Sequence, residues 1–338
     1  MAAGGSSAPA ADVEKNLNND RLSVPMLNQP SAESHTHHTH QISDVPFTGR
    51  LGGNQAFVLD RDDVDNASIL QDIPDAAPWM TLAEQLDLRP FRTLSLWKAA
   101  ILEGMGTLML VFLTIWISIS PAEIPTAPGP QFGPFDNAAF LGPLVGGVTN
   151  FMLLTLFIFI FGAVSGAHLN PTITIATFCA RLTSLPRMVL YVAFQTLGGA
   201  LAGLLARAGY GSRSFQVGGC WLYSNVVPVG DAFVIEFVAT TLLLFCAFGV
   251  GLDPRQRQMI GPSLAPFLIG MALGVISFGT AFTRYGYGGA SLNPARCLGA
   301  FVGSRFPGWH WHHWVADIVA CLVHGAFYLA VPPWQNHC

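Results

Sequence analysis

Two asparagine–proline pairs are the polar groups best placed to act on a small molecule in this otherwise apolar sequence. They begin at Asn170 and Asn293, and each lies in an octet, 165–172 and 288–295, with Gly, Ala, Leu, Asn and Pro in the same register. An asparagine amide donates through nitrogen and accepts through oxygen, so it can bind water or a hydroxyl group. Two unrelated surface loops would rarely match in this way. The two boxes comprise Asn170, Pro171, Thr172 and Asn293, Pro294, Ala295.

Each box predicts the start of a short helix, because asparagine is a favoured N-cap and proline fits the first helical turn. The apolar runs that follow, Thr172–Ala180 and Ala295–Gly303, are about half as long as the roughly 20 residues that span a bilayer. A helix N-terminus carries about half a positive charge. Two such termini meeting at the midplane would repel cations, including hydronium, and let neutral solutes pass.

Longer apolar stretches must position these half-helices. Six of them are long enough to cross a membrane, and the first box follows the second stretch while the second box follows the fifth. They cover roughly 96–119, 139–163, 184–207, 231–252, 262–283 and 311–333.

The two halves of the chain form an internal repeat. The first stretch of each half carries a glutamate followed four residues later by a threonine, Glu103 with Thr107 and Glu236 with Thr240. An odd number of spans per half gives the halves opposite orientations in the membrane. The predicted fold is an all-α membrane protein, with six transmembrane helices plus two half-membrane helices in an inverted repeat. Glu103 and Glu236 are expected to accept hydrogen bonds from the loops before each box; a proton pathway is the alternative.

Composition agrees with a bilayer environment. Of the 338 residues 51% are hydrophobic and 11% are charged, against roughly 25% charged in soluble domains. The net charge of −4 argues against a nucleic-acid partner. The cysteines show no paired spacing, so buried thiols are favoured over disulfides and metal ligands. They are Cys179, Cys220, Cys246, Cys297, Cys321 and Cys338.

Residues 1–92 differ in composition from the rest and predict a mostly disordered N-terminal tail. The start of the chain has no signal-peptide pattern. A histidine cluster at 35–40 could bind metal, although a solvated polar tract is the simpler interpretation. The stretch Trp79–Leu88 has the spacing of a short amphipathic helix on the membrane surface. The channel domain is expected at 93–333, with repeats at about 96–207 and 231–333, before a C-terminal tail at 334–338.

Basic residues predict the orientation. They precede the first span and lie between spans two and three and between spans four and five, whereas the segment 120–138 has none. Under the positive-inside rule both termini are cytosolic, and the plasma membrane is the expected location. The basic residues used are Arg89, Arg92, Lys98, Arg181, Arg187, Arg255 and Arg257.

Over roughly 95–333 the sequence resembles the aquaporin, or major intrinsic protein, superfamily. The resemblance rests on both boxes, the two Glu-x-x-x-Thr pairs and Gln195 with the small residues 198–200. Thr172 replaces the usual alanine of the first box. Arg296-Cys297 after the second box resembles the X intrinsic proteins of plants and fungi. The resemblance implies a channel for water and small neutral solutes in contact with membrane lipid, a homotetramer, and neither a cofactor nor a metal.

The resemblance also implies a selectivity filter of four residues. Counting from the boxes assigns Asn150, Ala281, Ala290 and Arg296, with Thr280 as the alternative to Ala281. Two alanines leave space, and Asn150 adds a polar group opposite the Arg296 guanidinium. The predicted filter is wide and polar, which favours glycerol, urea, boric acid and hydrogen peroxide unless Phe282 or Tyr287 narrows it.

Other candidate residues surround this pore. The loop backbones at Gly166, Ala167, His168 and Gly289 are expected to line it. Cys297 is a candidate oxidation or mercury site, with a packed thiol as the alternative. A cluster of histidines and tryptophans at 309–314 is typical of an aromatic belt at the membrane interface, although its i, i+3 histidine pair could bind zinc.

Two other functions remain open from the sequence. A secondary transporter also uses inverted repeats and broken helices, but it needs an ion-coupling site. A membrane-anchored signalling or scaffold protein would act through the N-terminal tail. An enzyme is not expected, because no nucleophile–base pair or metal triad stands out among the residues.

Overall fold

The computed structural model describes residues 46–52, 58–121, 137–254, 260–281 and 284–330. The histidine cluster at 35–40, Phe282, and the C-terminal tail at 334–338 lie outside these residues.

Six helices have the length and apolar composition to cross a membrane, which confirms the predicted spans. Two half-length helices lie between them. The described α-helices, in chain order, are α1 (Ala67–Asp72), α2 (Leu82–Gln85), α3 (Leu94–Ser118), α4 (Asn137–Gly162), α5 (Pro171–Cys179), α6 (Leu185–Tyr210), α7 (Val229–Ala247, continued by a π-helical turn Phe248–Leu252), α8 (Gly261–Ala281), α9 (Pro294–Gly303) and α10 (Trp311–Ala330).

Each half-helix is capped by the asparagine of its box. The Asn170 side chain accepts from the Thr172 backbone N–H at 2.9 Å, and the Asn293 side chain accepts from the Arg296 N–H at 3.3 Å. Proline occupies the first turn of both α5 and α9, where its missing N–H costs no intrahelical bond.

Small residues let these helices approach closely within the chain. A Cβ atom at Gly203 of α6 would lie 1.8 Å from the Gly299 carbonyl oxygen of α9. A Cβ at Gly198 would lie 2.2 Å from the Gly104 carbonyl oxygen of α3. Helix association in lipid depends on such packing, because apolar side chains gain no hydrophobic advantage there. The small-residue stripe of α6 is therefore an intrachain contact.

Large apolar side chains cover the outside of the helices. Met152, Val234 and Val275 are 60%, 57% and 63% exposed. A soluble monomer rarely exposes so much contiguous apolar surface, whereas lipid solvates it well.

For convenience, the tail side is the membrane side where α3 begins, and the loop side is the one that carries residues 211–228. The loop-side segment folds back over the helix ends: strand β1 (Ile119–Pro121) pairs antiparallel with strand β2 (Phe215–Val217). Leu222 forms a further bridge with Tyr287. This small ladder was not among the predicted elements, and it holds the segment across the loop-side mouth.

The structure contradicts the prediction of a mostly disordered tail for residues 46–52 and 58–92. Short 3-10 turns at Val64–Asn66, Pro74–Ala76 and Arg89–Arg92 alternate with α1 and α2. Asp75 is 1% exposed and accepts from both Arg187 and Ser184 at the start of α6. The tail composition misled the prediction because buried groups of this segment, such as Asp75, obtain partners from the membrane helices.

The segment predicted as an amphipathic helix contains the four-residue α2, closed by a capping box between Thr81 and Glu84. Its apolar side chains Trp79, Leu82 and Leu88 are 60%, 55% and 59% exposed. Gln85 on the other face donates to the Phe178 carbonyl at 2.6 Å. The helix is shorter than predicted, and it is fastened to the tail-side end of α5.

Candidate pore and selectivity filter

The two boxes meet in the interior of the helix bundle. Asn170 Nδ2 donates to the Leu292 carbonyl at 2.7 Å, and Asn293 Nδ2 donates to the Leu169 carbonyl at 3.1 Å. Each amide nitrogen has two hydrogens, so one remains for a solute. The N-terminal ends of α5 and α9 thus face each other, and both direct their partial positive charge at one point.

Glu103 holds the first loop in shape. Its carboxylate accepts from the backbone N–H groups of His168 (3.0 Å) and Leu169 (2.6 Å) and from the side chains of Ser165 (2.6 Å) and Gln195 (2.9 Å). Ala167 and Leu169 have left-handed backbones, with φ of 55° and 49°. Such conformations cost on the order of 1–3 kcal/mol and persist only where the surroundings impose them.

Glu236 plays the corresponding part in the second loop. Its carboxylate accepts from the N–H groups of Ser291 (2.8 Å) and Leu292 (2.7 Å), and Leu292 has a left-handed φ of 62°. Both glutamates are fully buried. Each accepts hydrogen bonds from backbone N–H groups of its own loop, as the sequence predicts.

A cavity of about 340 Å³ passes the two asparagines. Leu51 and His168 border its tail-side end, and Trp221 and Gly288 border its loop-side end. A water molecule occupies about 30 Å³ in the liquid, so the space accommodates a file of waters or a small solute.

All four predicted filter positions border this cavity: Asn150 from α4, Ala281 from α8, Ala290 from the loop and Arg296 from α9. The alternative Thr280 has another task, because its hydroxyl accepts from the Ala290 N–H at 3.1 Å. The geometry therefore places residue 281, and not residue 280, on the cavity.

Comparison with known proteins identifies the family of the chain. The family model described as "Major intrinsic protein" matches residues 90–328. The chain belongs to the major intrinsic protein, or aquaporin, family. Probable aquaporin PIP2-7 of Oryza sativa subsp. japonica is 32% identical over 258 residues, which cover 74% of this chain and 84% of the rice protein. The lens fiber major intrinsic protein of Lithobates pipiens is 32% identical over 241 residues, or 70% and 82% of the two chains.

A solved aquaporin-family structure shares the fold. The aquaglyceroporin from Plasmodium falciparum aligns with a TM-score of 0.52 and 21% identity, covering 70% of this chain and 97% of that one. At this identity the likeness concerns the fold alone.

One feature of this aquaporin contradicts the sequence prediction for its cysteines. Cys220 and Cys297 form a disulfide, with their Cα atoms 5.2 Å apart. Cys297 therefore has no thiol for oxidation or mercury in this structure. No local pattern indicates this pair, because the two cysteines are 77 residues apart and meet only where the 211–228 segment folds over the pore. Cys179, Cys246 and Cys321 are free thiols.

The disulfide lies beside Arg296, the arginine of the predicted filter. Arg296 donates through Nη2 to the Gly218 carbonyl and approaches the Cys220 sulfur through Nη1 at 3.4 Å. A Cβ atom at Gly219, which has φ of 77°, would lie 2.6 Å from the Arg296 side chain. The loop-side segment thus clamps the guanidinium, and the conformation there requires a glycine.

Trp221 is a pore residue that the sequence analysis missed. It borders the cavity and packs so closely on Gly288 that a Cβ there would lie 2.6 Å from its indole nitrogen. No sequence pattern indicated that Trp221 borders the cavity, because it lies in a loop far from both boxes. Tyr287, considered as a residue that narrows the filter, is instead buried against Leu222 and Val227.

Three of the four predicted loop residues are placed differently from expectation. His168 borders the cavity, whereas Gly166, Ala167 and Gly289 are buried and are not among the described residues that border it. Gly166 is covered, because its carbonyl accepts from the Leu51 N–H at 2.8 Å. Gly289 packs against Ala281, to which a Cβ would approach within 3.0 Å.

Residues 46–52 occupy the tail-side mouth. Phe47, Arg50 and Leu51 are each 1% exposed. Arg50 donates to the carbonyls of Gly162 and Ala163 at 2.7 Å, and the His168 ring bonds to the Gly49 carbonyl at 2.6 Å. The segment therefore binds the backbone at the tail-side end of α4 and the loop of the first box.

Proposed function

We propose that this aquaporin-family member is a passive channel for small uncharged solutes, with glycerol, urea, boric acid and hydrogen peroxide as candidates, and for water. The observation that carries the proposal is the common cavity of Asn150, Ala281, Ala290 and Arg296. Two alanines leave the filter wide, while an amide and a guanidinium supply polar partners for hydroxyl and amide groups.

Exclusion of ions follows from the charges around the cavity. The N-termini of α5 and α9 and the Arg296 guanidinium all present positive charge to it. A cation loses hydration there without gaining a counter-charge from the described residues that border the cavity. Protons are opposed by the same field, and the asparagine donors orient the water that passes them.

The tail side is the proposed cytosolic side, and the plasma membrane is the proposed location. Arg89, Arg92 and Arg187 lie at the tail side, as the positive-inside rule requires. The Cys220–Cys297 disulfide lies toward the loop side, and disulfides persist in oxidising compartments outside the cytosol.

The proposed subfamily is the X intrinsic proteins, on the strength of Arg296-Cys297 after the second box.

The proposed assembly is a homotetramer with one pore per chain. The apolar side chains exposed on the helices leave room for both subunit contacts and lipid. Cross-linking in native membranes tests the assembly, and a monomer at all cross-linker concentrations would contradict it.

Proteoliposome swelling tests the channel and its filter. Ala281→His and Asn150→Trp should reduce glycerol and urea flux more than water flux, because each adds bulk at the constriction. Val275→Trp, on the lipid-facing side of α8, is the matched control and should leave all fluxes unchanged. Equal losses for every solute would refute the filter assignment. Flux that saturates at low concentration or follows a proton gradient would favour a transporter.

A further inference from the structure

A group of histidines and one glutamate lies beside the filter loop, on the loop side. Glu236, His312 and His313 are all buried, and each offers one ligand atom, with all of these atoms within 4.8 Å of one another. Glu236 comes from α7 and the histidines come from the first turn of α10. We propose that these three side chains bind a divalent transition-metal ion, with Zn²⁺ as the best match.

The hydrogen bonds of His312 leave it ready to act as a ligand. Its Nδ1 lies 2.9 Å from the Trp309 carbonyl, which can only accept, so Nδ1 carries the proton. Its Nε2 is then an unprotonated acceptor, and it is buried without a hydrogen-bond partner in the part of the chain that the structure describes. A backbone carbonyl that fixes the tautomer of a ligating histidine is the usual arrangement at zinc sites.

His313 must change its tautomer before it can bind a metal ion. Trp314 donates to His310 Nε2 at 3.3 Å, so His310 Nδ1 carries a proton and donates it to His313 Nδ1 at 3.2 Å. This places the remaining proton of His313 on Nε2. When the rings of His310 and His313 both adopt the other tautomer, His313 Nε2 loses its proton and can bind the metal. The 3.3 Å hydrogen bond from Trp314 to His310 Nε2 is then lost. The total number of protons is unchanged.

The charge around the site also suits a cation. Glu236 and Asp317 are both fully buried and close enough to repel each other electrostatically. Among the described residues, Arg296 is a cation that attracts Glu236. Two histidines and a carboxylate, with a water in the fourth position, match the ligand set that Zn²⁺ accepts.

The loop side is the proposed side of entry for the ion. Arg305, Phe306 and Gly308, which precede the histidines, are exposed. A bound ion would compete with the Ser291 and Leu292 N–H groups for the Glu236 oxygens that accept from them. Metal binding should therefore loosen the filter loop and lower solute flux.

Metal binding to the full chain tests the site directly. The chain is purified without a histidine tag, and His35, His37, His38 and His40 are replaced by alanine to remove the other histidine cluster. Calorimetry with Zn²⁺, and absorption spectra with Co²⁺, then measure stoichiometry and geometry. The control is His324→Gln, because His324 is a buried histidine of the same helix whose ring nitrogens lack partners among the described residues.

We expect one Zn²⁺ per chain in this background. His312→Gln and His313→Gln should each weaken binding by at least about tenfold, whereas His324→Gln should not. Zn²⁺ should also reduce water flux in the background protein, and His312→Gln should abolish that effect. Absence of a bound ion, or equal binding by all three variants, would overturn the metal site. Because binding is measured without flux, its outcome is independent of whether the channel proposal holds.

A second, separate observation concerns residues 46–52 at the tail-side mouth. The segment is held by charge-assisted bonds from Arg50 to the Gly162 and Ala163 carbonyls, and Leu51 borders the cavity itself. Gly52 lies so close to α4 that a Cβ would approach Ile158 within 2.6 Å. We infer that this segment is an autoinhibitory plug, and that conduction requires it to leave the mouth.

Truncation tests the plug, which rests on the proposed channel function. If the plug occupies the mouth for about nine-tenths of the time, deleting residues 2–57 should raise water flux per channel about tenfold. Deleting residues 2–40 leaves 46–52 in place and should not. The double variant Phe47→Ala, Arg50→Ala gives the same test if the longer deletion does not fold. Equal flux in all folded proteins refutes the plug, whereas no flux in any of them refutes the channel.

Discussion

Replacing Glu103 by glutamine tests how the first loop is held beside the pore. Both Glu103 oxygens are occupied: one accepts from Ser165 and His168, and the other from Leu169 and Gln195. Glutamine keeps the size of the side chain but turns one of these acceptors into an N–H₂ donor.

The glutamine amide can take two orientations, and each has a free-energy cost. If the nitrogen faces Ser165 and His168, the serine hydroxyl can rotate and accept, but the His168 N–H has no partner. If it faces Leu169 and Gln195, the Gln195 amide can flip and accept, but the Leu169 N–H has none. One buried backbone N–H is orphaned in both cases, which costs about 1–3 kcal/mol.

That loss is comparable with the strain in the loop. The left-handed residues Ala167 and Leu169 each cost on the order of 1–3 kcal/mol to maintain. Without the full set of bonds the loop should relax, and Asn170, which follows directly, should shift from the cavity. We expect Glu103→Gln to lower the thermal stability and to reduce water flux per folded channel.

Stopped-flow swelling of proteoliposomes, normalised to folded protein, measures the flux, and thermal unfolding in detergent measures the stability. Glu84→Gln is the control, since Glu84 caps the surface helix α2 and should leave flux unchanged. Wild-type flux and wild-type stability in Glu103→Gln would refute the reasoning.

Three further predictions concern stability. Burial raises the pKa of Asp75, but its pairing with Arg187 and its hydrogen bonds outweigh this and hold the pKa below 3.8. Asp75→Asn should lower the free energy of unfolding by about 3–5 kcal/mol at neutral pH. Since a depressed pKa stabilises above the unfolded value, the difference in melting temperature from wild type should shrink only below about pH 4. Cys297→Ser should cost about 2–4 kcal/mol and weaken discrimination against larger solutes, measured as the glycerol-to-water flux ratio. Gly203→Ala should destabilise the protein because its Cβ meets backbone at 1.8 Å, whereas Gly279→Ala, where nothing lies within 4 Å, should not, as thermal unfolding would show.

The sequence alone predicted the features that depend on local pattern. Hydrophobic length gave the six spans, and the asparagine–proline pairs gave the starts of α5 and α9 within one residue. The in-register octets gave the inverted repeat, because the same residues are needed where each half-helix begins. The four predicted filter positions came from the family resemblance, which implies their spacing from the boxes, and all four border one cavity in the structure.

The tertiary structure decided everything that depends on distant segments meeting. The Cys220–Cys297 disulfide, the position of Trp221, the contacts of residues 46–52 and the Glu236–His312–His313 group all join parts of the chain far apart in sequence. Composition misjudged the tail for the same reason, as Asp75 is ordered by Arg187 from a membrane helix and not by its neighbours. Periodicity and capping act over a few residues, and which loop covers which pore mouth is settled only when the helices have packed.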